Sequence, residues 1–187
     1  MPNWCSNNFS ITGPKEKIRA LWDQAQKDEE SGGGLLTGMR PMPEFKEPVP
    51  CPITGKVDAT MPDWWNWRVA NWGTKWEVST EGMQYTEDGD TATIAGWFES
   101  AWSPPVEAFA FYCDEQDDVS AKLSYYEPGM CFVGEWTSDG GDECIEYNEF
   151  TSKTVREGIG EYLDDMWGIS ESMAEWEEEN EEENDDA

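Results

Sequence analysis

The side chains that could do chemistry in this sequence are carboxylates at helical spacing. Glu107, Asp114, Glu115 and Asp118 stand at i, i+7, i+8 and i+11, with Phe111 between them. Helical neighbours three or four residues apart lie about 5–6 Å from one another, so the spacing predicts a fixed row of negative charge opposite an apolar stripe. Glu157, Glu161, Asp164 and Asp165 repeat the arrangement nearer the C-terminus. Two turn segments add Glu87, Asp88 and Asp90, and Asp139, Asp142 and Glu143. Such rows are comparable in scale to consecutive phosphates on one nucleic-acid strand. A groove that neutralises phosphates with Lys and Arg accepts carboxylates in their place. Phe111, Trp167 and Trp176 are candidate apolar anchors beside the charges.

Composition narrows the chemistry further. The 187 residues include 41 Asp or Glu, 12 Lys or Arg and no His, for a net charge of −29. That balance excludes a protein that grips phosphates. Without His there is no ordinary neutral-pH base, no imidazole ligand for zinc, and no Ser-His or Cys-His nucleophile pair. Nothing singles out two of the 41 acids as a glycosidase pair. Residues 87–90 and 139–143 are Asp-rich but lack the twelve-residue alternation of an EF-hand, so neither a metal site nor a cofactor is expected. Cysteines 5, 51, 113, 131 and 144 are odd in number and contain no CxxC pair. Neither a disulfide framework nor a zinc knuckle fits, and Cys113 and Cys131 read as buried free thiols. The N-terminal residues lack a basic region followed by an apolar run, and no 18 apolar residues are consecutive. The expectation is a soluble cytoplasmic protein.

The elements that must carry these groups follow from periodicity. Residues 4–12 read as a strand, and Gly13-Pro14 opens a helix whose Ile18, Leu21, Trp22 and Ala25 form an apolar stripe. Residues 29–62, rich in Gly and Pro, read as an inserted loop, functional or mobile. Residues 63–76 hold five tryptophans. They predict a short helix ending at Gly73 and a strand at 75–80, with Trp67, Trp72 and Trp76 in the core and Trp64 and Trp65 partly free. Stacking of nucleic-acid bases on these rings is disfavoured, because only Arg68 and Lys75 lie among them and such platforms work inside a positive groove. Asp88-Gly89 joins a hairpin of residues 76–86 and 91–98. Ser103 is placed as the cap of a second helix begun by Pro104-Pro105, with Val106, Phe109, Ala110 and Cys113 buried. Strands follow at 119–126, 130–137 and 143–148, then a third helix at 152–167 burying Val155, Ile159, Tyr162, Leu163 and Met166. The fold class is α+β. A split β-α-β antiparallel sheet of ferredoxin-like plan carries two helices on one face, with extra C-terminal strands and a helix.

The segments MPNWCSNNFSITGP at 1–14, NWGTKW at 71–76, AWSPP at 101–105 and YEPGMCFVGEW at 126–136 resemble the hallmark segments of the YubB ferredoxin-like family of bacteriophages and conjugative plasmids. The resemblance spans roughly residues 1–148. It implies a ferredoxin-like fold and a mobile-element origin, and it carries over no catalytic residue. The insertion and everything after residue 150 lie outside it.

Residues 157–187 hold 14 acidic side chains and no Lys or Arg, which leaves a net −15 on residues 1–156. The expected organisation is one domain over 1–168 and an acidic, disordered tail over 169–187, since clustered like charges repel. Carboxylates in a last helical turn oppose the helix dipole by about 0.3–1 kcal/mol each, and Asp114, Glu115, Asp164 and Asp165 are all so placed. Stability alone does not select that pattern. The reading is a non-enzymatic phage or plasmid protein that mimics nucleic acid and inhibits a basic, nucleic-acid-binding host defence protein, such as a restriction or CRISPR nuclease. Two other readings compete with it. One is a small-ligand or enzyme module on the insertion and Trp-rich segment, with acidity for solubility; the other is an accessory protein-interaction module.

Overall fold

Alternation along residues 4–14 buries Cys5, Asn7, Phe9 and Ile11 and turns the intervening side chains outward. This segment is β1 (Trp4–Pro14), at the centre of the sheet. The computed structural model describes residues 2–58 and 60–185, with side chains described through residue 180. The remaining elements are α1 (Lys15–Ala25), α2 (Leu35–Met39), α3 (Asp63–Trp72), β2 (Met83–Asp88), β3 (Thr91–Ala101), α4 (Val106–Asp114), β4 (Ser120–Glu127), β5 (Phe132–Thr137), β6 (Gly141–Glu146), α5 (Val155–Ile159), α6 (Glu161–Trp167) and α7 (Ile169–Asp185). The described residues thus form an α+β structure, with a six-stranded, fully antiparallel sheet and seven α-helices. Strand order is β2-β3-β1-β4-β5-β6.

The two faces of the sheet carry separate cores. On one face Phe9, Ile94, Phe98 and Leu123 meet Ile18 and Leu21 of α1, Leu35 and Leu36 of α2, Trp72 of α3, and Ala108 and Phe109 of α4. The rings of Phe9 and Phe98 lie 5.2 Å apart, and Phe109 meets Phe9 edge-on at 5.8 Å. Neighbouring residues on a strand point to opposite faces. Tyr126 and Val133, next in sequence to Tyr125 and Phe132, therefore belong to a second core with Tyr147, Val155, Ile159, Leu163 and Ile169.

Several expectations are corrected. No strand forms at 75–80. There Glu77 is drawn inward and accepts hydrogen bonds from the backbone N–H groups of Leu36 and Thr37, at 2.8 and 2.9 Å, and from the Thr37 hydroxyl. The insertion is not all loop, since Leu35 and Leu36 are fully buried in the first core. Ser103 does not cap α4; its hydroxyl donates to the Gly73 carbonyl, and the N-cap position is Pro105. Along α4 the buried side chains are Ala108, Phe109 and Tyr112, while Cys113 is half-buried. Cys131 is half-buried too, and its thiol donates to the Pro128 carbonyl. The third helix is two, α5 and α6, because Gly160 at φ 88° breaks the ladder. Tyr162 consequently stands 52% exposed, under the Lys122 ammonium at 4.5 Å, and Met166 is half-buried.

The tail expected to be disordered is helix α7 through Asp185; residues 186 and 187 lie outside the described residues. Glu and Ala favour helix, and like-charge pairs cost only a few tenths of a kcal/mol each. Against that cost, Ile169 is fully buried and Met173 packs beside the second core. Burial of a side chain like Ile169 contributes about 1.5–3 kcal/mol. Glu177, one turn further along this face, accepts from the Ser152 backbone N–H at 2.9 Å and from its hydroxyl at 2.6 Å.

Candidate functional site

The registers bring several of the acidic groups to one end of the sheet. The β2–β3 turn, the β1–α1 junction, the entry to β4 and the β5–β6 turn all lie there, because Pro14 pairs with Thr91, Thr12 with Ser120, and Thr137 with Gly141. Strands stand about 4.8 Å apart, so six of them spread these groups over about 24 Å. Glu87, Asp88 and Asp90 occupy one side of this end, and Asp118 and Asp139 the other. The last turn of α4 brings Asp114 and Glu115 to the same end, since α4 leads directly into β4.

The first turns of α1 neutralise part of this array. Lys15 and Arg19 both pair with Glu87, and the Tyr85 hydroxyl donates to it at 2.9 Å. Hydrogen bonds from Lys15, Arg19 and Tyr85 pull the Glu87 carboxyl down to about 2. Lys17 pairs with Asp118 and lowers it as well. Among the described residues, Asp88, Asp90, Asp114, Glu115 and Asp139 have no ion pair. A pH dependence follows from Glu87. Its folded-state pKa lies below the unfolded one, so its contribution is full above about pH 4.5 and disappears as pH falls toward 2. Urea unfolding of the native chain and of Glu87→Gln should differ most at neutral pH, with the native chain more stable, and should converge near pH 2. A difference that grows on acidification would contradict this placement.

The row expected along α4 does not form one ridge. Glu107 sits on the first turn of α4, about 10 Å along the axis from Asp114, and shares a groove with Asp142 and Glu146 of β6. Phe111 is not a free anchor, because the Arg40 guanidinium covers its ring at 4.4 Å. Asp142 accepts from the Tyr125 hydroxyl at 2.7 Å, and Glu143 lies opposite Glu135 across the β5–β6 ladder.

The C-terminal group is organised by Arg156, which pairs with Asp164 at 2.9 Å and Asp165 at 2.5 Å and approaches Glu161 at 3.8 Å. Glu157 is exposed. Asp164 is 3% exposed and unavailable to a partner. Its carboxylate accepts from the Ser170 backbone N–H at 2.8 Å and hydroxyl at 2.7 Å. Rather than opposing the dipole of α6, Asp164 holds the first turn of α7. Burial works to raise its pKa, and the Ser170 and Arg156 bonds hold it below the ordinary carboxylate range. Trp167 stacks on Tyr126 at 5.8 Å and is half-buried, so it is not a free anchor. Trp176 is 66% exposed, as an anchor requires.

Sequence reasoning did not single out the acidic ridge of α7. Ile169, Met173 and Glu177, at i, i+4 and i+8, face the body of the protein. Glu171, Glu175, Glu178 and Glu179 share the same spacing on the opposite side and form no ion pair among the described residues. The signal is present in that spacing, but a run of like charge by itself predicts disorder.

The opposite end of the sheet is aromatic. Trp4 and Trp76 meet there at 6.0 Å, and Trp102 and Met130 are exposed. Trp76 is therefore a surface residue; Trp72 is fully buried, Trp67 packs against it, and Trp64 and Trp65 are partly exposed. Four segments meet at this end. The Trp102 backbone N–H donates to the Asn3 carbonyl at 3.0 Å, and the Thr74 hydroxyl to the Ala101 carbonyl at 2.8 Å. Buried Glu127 accepts from the backbone N–H groups of Gly129 and Met130.

Among the described residues no helix is long and apolar enough to cross a membrane, and no group of three or more acidic or cysteine side chains is arranged to hold a metal ion. No protein-family model matches the chain, and no curated protein matches it. Among solved structures it is similar to the crystal structure of a protein api92 from Yersinia pseudotuberculosis, of family model DUF1281. The identity is 11% and the TM-score 0.41, over 79% of this chain and 99% of that one. A likeness of that size assigns neither family nor function.

Proposed function

We propose that this chain is a non-enzymatic phage or plasmid protein of YubB ferredoxin-like type that acts in the bacterial cytoplasm as a nucleic-acid mimic. It occupies the DNA- or RNA-binding groove of a basic host defence protein. The fold part of the reading is supported by the strand order β2-β3-β1-β4, with α1 and α4 packed on one face of these strands. Parts of the four segments that carry the family resemblance, around Trp4, Trp76, Trp102 and Gly129, also meet at one end of the sheet.

One observation carries the mimicry. Glu171, Glu175, Glu178 and Glu179 lie on the outer side of a 17-residue helix whose other side is anchored by Ile169, Met173 and Glu177. The helix is about 25 Å long. Charges held at helical spacing on an anchored rod keep their separation when a partner approaches, whereas charges on a disordered tail must first be ordered at an entropic cost. Asp165 and Glu171 line the same recess, but Arg156 pairs with Asp165 there, so the unpaired ridge is confined to α7.

The test is capture of basic proteins from a bacterial lysate on the immobilised chain, followed by elution with short duplex DNA or with salt. Captured proteins should be released by the duplex, and binding should fall steeply between about 50 and 500 mM NaCl. Changing Glu171, Glu175, Glu178 and Glu179 together to Gln should weaken capture at least about tenfold while far-UV circular dichroism is unchanged. Capture indifferent to salt, or a captured protein that retains duplex DNA at the same time, would rule mimicry out.

A further inference from the structure

The helix-covered face of the sheet is not covered across its whole width. Beyond β4 this face of β5 is covered at Trp136, which is buried and meets Phe109 of α4 edge-on at 6.2 Å, whereas Asp142, Cys144 and Glu146 of β6 are exposed on the same face. Between the first turn of α4 and the β5–β6 hairpin runs a groove of about 290 Å³. Pro104, Val106 and Phe132 make its apolar lining, and Glu107, Asp142 and Glu146 its acidic one. Gly134 keeps this part of the sheet low. A Cβ there would stand 2.5 Å from both the Tyr125 hydroxyl and the Glu143 carbonyl.

Three carboxylates from two elements converge on the groove, and no Lys or Arg lines it. Elsewhere this chain pairs a carboxylate with an aromatic ring to hold its own cations. Arg19 lies 4.3 Å over Tyr85 while pairing with Glu87. Lys122 lies 4.5 Å over Tyr162 while pairing with Glu135 at 2.7 Å. In the groove Phe132 and the three acids offer the same two components with no internal cation to fill them. A long basic side chain lays its methylene stem on apolar surface and its charged head on carboxylates, and an aromatic face adds cation–π attraction. The volume is at the small end for ligand sites, which suits one or two such side chains.

We infer that this groove docks an exposed arginine-bearing segment of a partner protein. The stem of the arginine packs on Val106 and Phe132, and its guanidinium is held by Glu107, Asp142 and Glu146. An acidic or purely apolar segment is rejected, because it leaves three carboxylates desolvated and unpaired. The inference does not depend on nucleic-acid mimicry, which uses a different surface.

The probe is a capped, fluorescently labelled Gly-Arg-Ala-Arg-Gly peptide, with its Gly-Glu-Ala-Glu-Gly counterpart as control. Binding to the full chain is read by anisotropy at low salt. Two variants lose the same three charges: Glu107→Gln with Asp142→Asn and Glu146→Gln in the groove, and Glu171→Gln with Glu175→Gln and Glu178→Gln on α7. The arginine peptide should bind and the acidic one should not. The groove variant should weaken binding at least about tenfold, and the α7 variant less than about twofold. Removing like charges relieves repulsion, so neither variant threatens folding, and Asn at 142 keeps an acceptor for Tyr125. As an independent readout, Cys144, which is exposed in the groove, tests occupancy. Cys144→Arg should abolish peptide binding, and Cys144→Ala should preserve it. Absent binding, equal loss in both triple variants, or full binding to Cys144→Arg would each overturn the inference. The probe contains neither nucleic acid nor a host protein, so a failure here is separable from a failure of mimicry.

Discussion

Trp72→Ala is expected to destabilise the protein by about 3–5 kcal/mol, the range for emptying a large buried aromatic site. Trp72 closes α3 and is fully buried. Its ring meets Trp67 edge-on at 6.0 Å and lies 4.5 Å beneath the Arg68 guanidinium. Its indole N–H donates to the Arg40 carbonyl at 2.8 Å. The cavity would therefore open where the inserted segment, α3 and α4 meet. Total stabilities of domains this size are about 5–15 kcal/mol, so the variant should be marginal in urea unfolding followed by circular dichroism. Trp72→Phe separates the two contributions. It keeps most of the packing and leaves the Arg40 carbonyl without its donor, at a cost of about 1–3 kcal/mol. A loss below about 1 kcal/mol for the alanine variant would mean that the insertion is not anchored to the core as described.

Asp164→Ala should act locally. It removes the acceptor for the Ser170 N–H and hydroxyl at the start of α7 and one of the three carboxylates around Arg156. Loss of a cap costs about 0.5–2 kcal/mol. Arg156 is partly exposed and keeps Asp165 and Glu161, so the charge left behind adds modestly, for about 2–3 kcal/mol in all. Hydrogen exchange should show residues 169–180 losing protection by about thirtyfold or more, while β1, β3 and β4 change little. Because the folded-state pKa is lowered, the difference between Asp164→Ala and the native chain should be full above about pH 4 and vanish as pH falls below the folded value. Uniform loss of protection across the whole chain would show that α7 and the sheet unfold as one unit. Under the proposed function the same variant should also weaken capture of basic proteins, since the outer ridge loses its rigid support.

Much of the sheet was legible in advance because each of its elements carries its own periodicity. Residues 4–12 read as a strand, period two in 91–98 marks β3, the stripe at Ile18, Leu21, Trp22 and Ala25 marks α1, and Asp88-Gly89 marks the hairpin turn. The failures were of another kind. Segment 75–80 carries strand-forming residues, but Glu77 is taken by the N–H groups of Leu36 and Thr37, some forty residues away in sequence. Phe111 and Asp164 read as surface positions on their own helices, but Arg40 of the inserted segment covers the first, and Arg156 and Ser170 of the flanking helices enclose the second. The α7 run looked like a solvated tail because repulsion is visible in a sequence, while the apolar contacts of Ile169 and Met173 that outweigh it are not.

By itself, then, the amino-acid sequence determined the excess of negative charge, the absence of imidazole chemistry and the α+β alternation of elements, all of which follow from composition and short-range spacing. Tertiary structure alone decided which carboxylates are neutralised by Lys15, Lys17, Arg19 and Arg156 and which stand free. It also placed Glu107 with Asp142 and Glu146, and Trp4, Trp76 and Trp102 together at one end of the sheet. The reason is physical: periodicity specifies which side of an element is buried, whereas the field around a charge depends on groups brought near it by contacts between distant parts of the chain.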